Sequence, residues 1–153
     1  MKKTFIIAEA GVNHNGCIEL AYKLIDAAVD AAVDAIKFQT FKTENIVVQN
    51  APKAIYQIKN TGNNESQFEM IKKLELSYED FKKIKVYCDK KNIEFLSTGD
   101  YNSLEFLFNL GVNSFKIPSG EIDNHPYLKK VGSFKKRLYF LLECQPLKKL
   151  LPL

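Results

Sequence analysis

Arginine is all but missing from this chain: Arg137 is the only one among 22 basic residues. A surface that tracks a phosphate backbone uses arginine forks as well as lysines. The lysines here are spread along the chain without a cluster, so the net charge of +4 points to no nucleic-acid partner. Cysteine is scarce as well. Cys17, Cys88 and Cys144 are odd in number, far apart and free of any Cys-x-x-Cys pair. That excludes a disulfide framework or a zinc knuckle and predicts reduced thiols in a cytoplasmic protein. The two histidines, His14 and His125, offer no metal-binding spacing. No apolar run approaches membrane-spanning length. Met1-Lys2-Lys3 before Phe5-Ile6-Ile7-Ala8 looks like the start of a signal peptide, but the run is too short and ends in Glu9.

What remains is an ordinary globular composition, 46% hydrophobic and 26% charged over 153 residues, enough for one domain with a real core. Phe5 to Ala8 reads as a strand buried on both faces, with Glu9 at its end and Asn13, His14 and Asn15 bracketed by Gly11 and Gly16. The apolar spacing from Ile18 to Ala32 predicts an amphipathic helix, and Asp34 to Gln39 a second strand. From Thr40 to Glu65 there is no period; Pro52 and Thr61-Gly-Asn-Asn64 mark turns. Ser66 to Leu74 predicts a short helix. Ser77 and Asp80 form a capping-box start to a longer one, with Phe81, Ile84 and Cys88 on its buried face and Lys90-Lys91-Asn92 at its end. Ile93 to Ser97 predicts the third strand, with Thr98-Gly99-Asp100 at its mouth. Ser103 is expected to cap a helix through Leu110, stopped by Gly111. Ser114 to Ile117 predicts the fourth strand, Pro126 to Val131 a short helix and Leu138 to Leu142 a fifth strand. Strands and helices alternate without a hairpin signal, which is a parallel β/α architecture.

An internal echo sharpens this pattern. Ala32-Val-Asp-Ala-Ile-Lys-Phe-Gln39 and Gly111-Val-Asn-Ser-Phe-Lys-Ile-Pro118 both run from a helix end into a strand that carries a lysine between apolar residues. Lys37 and Lys116 are therefore the residues that need explaining. A lysine inside a covered parallel strand cannot easily reach water, and an unpaired buried ammonium is expensive. Two of them at equivalent positions repel unless an anion lies between them. The plain alternative is that each pairs with a carboxylate such as Glu9 or Glu121. The functional one is a bound phosphate or carboxylate, helped by the hydroxyls of Thr98 and Ser119 and the backbone near Gly120. Gln39 and Glu121 suit the hydroxyl and amide groups of a sugar. Phe106, Phe108 and Phe115 read as core.

Four stretches in order, Ile7-Ala-Glu-Ala-Gly-Val-Asn-His-Asn-Gly16, Ile36-Lys-Phe-Gln-Thr40, Phe95-Leu-Ser-Thr98 and Phe115-Lys-Ile-Pro-Ser-Gly-Glu121, resemble the N-terminal half of the sialic acid synthase family. That family includes legionaminate and pseudaminate synthases, and the resemblance covers Phe5 to Lys136. It implies an α/β fold of the (β/α)8 TIM-barrel type, of which this chain holds about the first four to five β/α units. The implied reaction condenses phosphoenolpyruvate with an N-acetylated amino sugar such as N-acetylmannosamine. It yields a nine-carbon 2-keto acid and phosphate. The resemblance assigns Lys37, Thr98, Lys116 and Ser119 to phosphoenolpyruvate, Gln39 and Glu121 to the sugar, and Glu9 to acid/base work or water positioning. Asn13 and His14 are candidate loop contacts. It also implies a divalent metal (Mn or Mg) that polarises the sugar aldehyde, with histidine ligands beyond Leu153, and a full-length homodimer that needs neither membrane nor nucleic acid.

The pattern departs from the family at Ser97-Thr-Gly-Asp100, where Ser-Thr-Pro-Phe-Asp is usual. A Schiff-base aldolase is the alternative enzyme, since barrel lysines also do that chemistry; borohydride trapping with pyruvate would label Lys37 or Lys116. A third expectation is that the chain is an inactive fragment. Half a parallel barrel leaves two open strand edges, which favours aggregation or a partly molten state. The organisation expected is residues 1–137 as the N-terminal part of a synthase-type barrel and 138–153 as an aberrant tail. The tail is rich in leucine and proline and has no helical period. Back-translation of Phe140 to Lys149 with permitted codons yields Ser-Thr-Gly-Met in another frame, the motif that the family carries after its fifth strand. A frameshift near Arg137 to Phe140 is the expected cause, and the DNA sequence decides it.

Overall fold

Apolar runs of four to six residues alternate with amphipathic stretches, and most become the element their period predicts. The computed structural model describes residues 4–55, 57–58 and 65–141. The Thr61–Asn64 turn, Cys144 and the tail from Leu142 to Leu153 lie outside the described residues. In chain order the elements are β1 (Ile7–Gly11), α1 (Ile18–Asp30), β2 (Ala35–Thr40), α2 (Thr43–Ile46), α3 (Gln67–Lys72), α4 (Tyr78–Lys90) and β3 (Glu94–Gly99). They continue with α5 (Ser103–Asn109), β4 (Ser114–Ile117), a 3-10 turn (Ser119–Glu121), α6 (His125–Ser133) and β5 (Arg137–Phe140).

Every paired strand is parallel. β1, β2 and β3 form one sheet in that order, and β4 pairs with β5 in another. Between β3 and β4 the Ser114 hydroxyl donates to Glu94 at 2.5 Å. At the far ends of this arrangement Phe5, just ahead of β1, stacks on Tyr139 of β5 with ring centroids 6.0 Å apart. First and last strands thus approach each other.

The two-residue period of a strand sorts side chains to opposite faces. Ile36, Phe38, Phe95, Phe115 and Ile117 face the helices, where they pack against Ile25 of α1, Phe81 and Ile84 of α4, Leu104 and Leu107 of α5 and Val131 of α6. Burying each such phenylalanine is worth about 1.5–3 kcal/mol. Phe115 is buried as predicted, while Phe106 and Phe108 pack against the core only partly buried. Cys88 lies fully within this layer, and burial pushes its thiol up to about 12, so it is a packing residue. Lys37, Gln39, Thr98 and Lys116 fall on the opposite face, where they line one cleft.

Local chemistry explains most element ends. Ser66 caps α3 and Ser77 caps α4, each in a full capping box with Glu69 and Asp80. Gly111 follows α5 with φ +80°, as a left-handed stop should. Several boundaries differ from the sequence reading. The first strand is Ile7–Gly11 rather than Phe5 to Ala8, so Glu9 lies at its middle, and Phe5 and Ile6 are exposed rather than buried on both faces. α1 ends at Asp30 because Ala32 has already turned to φ +53°. The stretch after Thr40 contains the one-turn helix α2, too short to show a period. Ser103 does not cap α5: its N-cap Asn102 makes no side-chain cap bond, and the Asp100 carboxylate accepts from the Asn102 and Ser103 amides instead.

Gly16 carries a tertiary constraint. At φ +72° a Cβ there would sit 2.3 Å from the Lys73 carbonyl oxygen, so the β1–α1 turn rests directly on the α3–α4 connection. Gly16→Ala is expected to cost about 1–3 kcal/mol, from the left-handed backbone and the displaced carbonyl together. A thermal melt unchanged within a degree or so would contradict this.

Candidate active site

Lys37 is 3% exposed at the centre of β2, and its strand neighbours in register are Glu9 of β1 and Leu96 of β3. Its ammonium contacts the Glu9 carboxylate at 2.8 Å; the lysine side chain is 4% exposed and the glutamate 64%. The plain ion-pair reading therefore holds for Lys37. Such a pair is unequal: the cation is fixed inside while the anion stands largely in solvent.

Two residues on, Gln39 is the one exposed side chain of β2, in register with Thr98. Lys37, Gln39 and Thr98 line one cleft of ≈ 490 Å³ together with Lys116, Pro118 and Glu121 from the end of β4. The cleft opens where β2, β3 and β4 end. Its remaining wall is built by Thr40 at the end of β2 with Phe41, Asn45 and Ile46 beyond it, by Gly99 at the end of β3 with Asp100 and Tyr101 beyond it, and by Asn124 ahead of α6. Glu121 accepts from the Asn124 amide at 2.7 Å, which aims its carboxylate along that wall.

The structure thus brings Lys37, Gln39, Thr98, Lys116 and Glu121 into one place. Glu9 joins through its pair with Lys37. Ser119 opens the 3-10 turn beside Pro118 but does not line the cleft. Asn13 is an exposed turn residue whose amide bonds the Ala10 carbonyl. His14 is fully buried: its Nδ1 accepts the Gly16 amide at 3.1 Å and its ring lies against Phe38. Burial lowers its pKa and favours the neutral ring. Neither Asn13 nor His14 lines the cleft. The β1–α1 turn packs against Phe38 and the α3–α4 connection instead.

Two carboxylates that sequence reasoning did not single out hold the mouth in shape. Glu75, 9% exposed, accepts from the Lys42 ammonium (2.8 Å), the Thr43 amide and hydroxyl (2.9 Å each) and the Lys72 ammonium (3.1 Å). Burial raises its pKa, but these four donors outweigh it and bring the group down to about 2. Asp100 accepts from the Lys42, Asn102 and Ser103 amides, the Ser103 hydroxyl and, at 3.4 Å, the Asn45 amide. Nothing in local sequence marks Glu75. Asp100, just ahead of a helix, carried the ordinary signal of a capping residue.

Comparison with known proteins agrees with this geometry. The NeuB family model matches residues 24–141. The N,N'-diacetyllegionaminic acid synthase of Campylobacter jejuni is 52% identical over 139 residues, which is 90% of this chain and 42% of that protein. The synthase of the same name from Legionella pneumophila is 51% identical over 132 residues, 86% of this chain and 37% of that one. This chain therefore spans less than half the length of the relatives it matches. The crystal structure of the N-acetylneuraminic acid synthetase of Leptospira borgpetersenii, in complex with citrate, superposes with a TM-score of 0.79 at 30% identity, over 97% of this chain and 47% of that one. A parallel β/α fold, paired strand lysines at one mouth and a family match across most of the described residues converge: the chain belongs to the NeuB family.

Proposed function

We propose that the cleft is the phosphoenolpyruvate end of a sialic-acid-synthase-type active site, built on the first four to five units of a (β/α)8 barrel. The observation that carries this reading is the convergence of Lys37 and Lys116, from β2 and β4, on one cleft with Thr98, Gln39 and Glu121. Two ammonium groups and a hydroxyl suit the phosphate and carboxylate of one small dianion. Ser119, next to the cleft at the start of its 3-10 turn, adds a second hydroxyl. Gln39 and Glu121 line the sugar side, where an N-acetylated amino sugar presents its hydroxyls and amide.

In this reading the enol carbon of phosphoenolpyruvate attacks the sugar aldehyde. Water adds to the resulting oxocarbenium carbon, and phosphate leaves from the tetrahedral intermediate, giving a 2-keto acid. Glu9 serves as the base or orienting group for that water. Its exposed carboxylate already pairs with Lys37, so an arriving anion competes with it for the ammonium and frees it to act. The family resemblance also implies a divalent metal. Among the described residues no group of three or more His, Cys, Asp or Glu side chains is placed to hold one. The carboxylates of the cleft therefore do not by themselves form a ligand set for such an ion.

Calorimetric titration of phosphoenolpyruvate into the chain is expected to give saturable binding that inorganic phosphate competes away. No heat at millimolar ligand counts against the reading. Joined to the C-terminal part of the C. jejuni relative, the chain is expected to release phosphate from phosphoenolpyruvate when an N-acetylated amino sugar is supplied. Silence of that chimera with every such sugar would sink the synthase assignment.

A further inference from the structure

The polar contacts around the mouth form a closed ring. The Lys42 amide donates to one Asp100 oxygen at 2.9 Å, and the Ser103 hydroxyl donates to the same oxygen at 2.8 Å. Ser103 bonds the Tyr78 hydroxyl at 3.0 Å, and the Lys42 ammonium lies 4.9 Å from the centre of the Tyr78 ring. The chain is thus tied at Lys42 from two sides, by backbone to Asp100 and by side chain to Tyr78 and Glu75. Asp100 also donates its own amide to the Thr40 carbonyl at 3.2 Å. The contacts to Thr40 and Lys42 hold the segment between Thr40 and Asn45, which walls one side of the cleft, and Ser103 links Asp100 to Tyr78 behind it. Asp100 itself has five donors on two oxygens, which leaves it little capacity to act as an acid, a base or a ligand.

We propose that Asp100 is a positioning residue: it clamps the segment after β2 so that Asn45 presents its carboxamide to the sugar side of the cleft, beside Gln39. The proposal rests on the functional reading above for the identity of the ligand, and it adds Asn45 as a sugar-reading residue. Asn45 is exposed, lines the cleft and has its amide nitrogen turned toward Asp100, which leaves its carbonyl oxygen to accept from a hydroxyl or amide of the ligand. The anion side is held differently. Lys37 and Lys116 stand inside the paired strands β2 and β4, whereas the Asp100 side chain acts on the segment beyond β2. Loosening the clamp therefore disturbs sugar recognition and spares anion recognition.

Asp100→Ser separates this role from simple helix capping. A serine at this position still accepts from the first amides of α5, as capping serines do, but its short hydroxyl does not also span to Lys42. Amide hydrogen exchange and two titrations, one with phosphoenolpyruvate and one with N-acetylmannosamine, are read on the full chain. In Asp100→Ser, exchange at Lys42 to Ile46 is expected to rise at least tenfold while α5 stays protected. The sugar dissociation constant is expected to rise at least tenfold and that of phosphoenolpyruvate to change less than twofold. Asn45→Ala, which leaves the other four bonds to Asp100 in place, is expected to reproduce the sugar loss without the change in exchange. It keeps the test open if Asp100→Ser fails to fold. Unchanged exchange at Lys42 to Ile46 in Asp100→Ser overturns the clamp, as does raised exchange with unaltered sugar affinity. Parallel losses for both ligands also overturn it, since they mark a general collapse. If the unmodified chain binds neither ligand, the functional reading falls and the exchange profile still decides whether Asp100 holds the segment.

Discussion

Lys37→Met is expected to lower affinity for phosphoenolpyruvate by about two orders of magnitude while leaving the fold as stable as before or more so. The two effects part because the lysine serves the two states differently. In the free protein its ammonium is buried and balanced by one solvent-exposed carboxylate. Replacing a buried charge of that kind by an apolar side chain of similar length is neutral or stabilising, here by up to about 2 kcal/mol. In the complex the same ammonium donates to an anion in a shielded site, and its removal forfeits about 3 kcal/mol of binding. Glu9→Gln shifts the balance the other way. With the competing carboxylate gone, affinity is expected to hold or improve, and turnover in the completed enzyme to collapse. Calorimetry beside a thermal melt checks both variants. Equal affinity in Lys37→Met and the unmodified chain would remove the lysine from the binding site.

The second large effect belongs to Glu75, which touches no cleft residue directly. Glu75→Ala strands the Thr43 amide and hydroxyl and uncouples Lys42 and Lys72 from their shared anion. The two lysines left behind, 33% and 45% exposed, can hydrate, so the expected cost is about 2–3 kcal/mol, below that of stranding a fully buried charge. The pH dependence carries the same information. The folded carboxyl is lowered from 4.5 to about 2, so its contribution is complete above about pH 4.5 and lost as the pH falls toward 2. The shift amounts to about 2–3 kcal/mol once the part-exposure of Lys42 is allowed for. Glu75→Gln keeps the shape and one acceptor oxygen but cannot titrate. Its stability is therefore expected to start lower at pH 7 and to fall less steeply between pH 5 and 2. Identical acid unfolding curves for the glutamine variant and the unmodified chain would show that Glu75 is not the group responsible.

How far the sequence alone reached follows from the range of each interaction. Helix and strand periods are set by neighbouring residues, so the alternation of elements, the capping boxes at Ser66 and Ser77 and the stop at Gly111 were all legible. So was the anomaly of the buried lysine in the middle of β2, because the cost of burying an ammonium does not depend on knowing its partner; its counterpart in β4, Lys116, is only half-buried. Ordered motifs at Glu9, Lys37, Thr98 and Lys116 were enough to indicate the family. One-turn α2 was not legible, since four residues show no period, and neither was the burial of His14 against Phe38.

Partners were decided only by the tertiary structure. Glu9 meets Lys37 across a strand pair, Glu75 meets Thr43 from 32 residues away, and Asp100 meets the Lys42 amide from 58 residues away. Carboxylates at these positions look the same in sequence whether they cap, pair or catalyse. Which of these a carboxylate does depends on which strand ends the sheet order brings side by side, and no local pattern encodes that order. The residue types of the site were thus written in the chain, while the shape of its mouth came from long-range hydrogen bonds to Glu75 and Asp100.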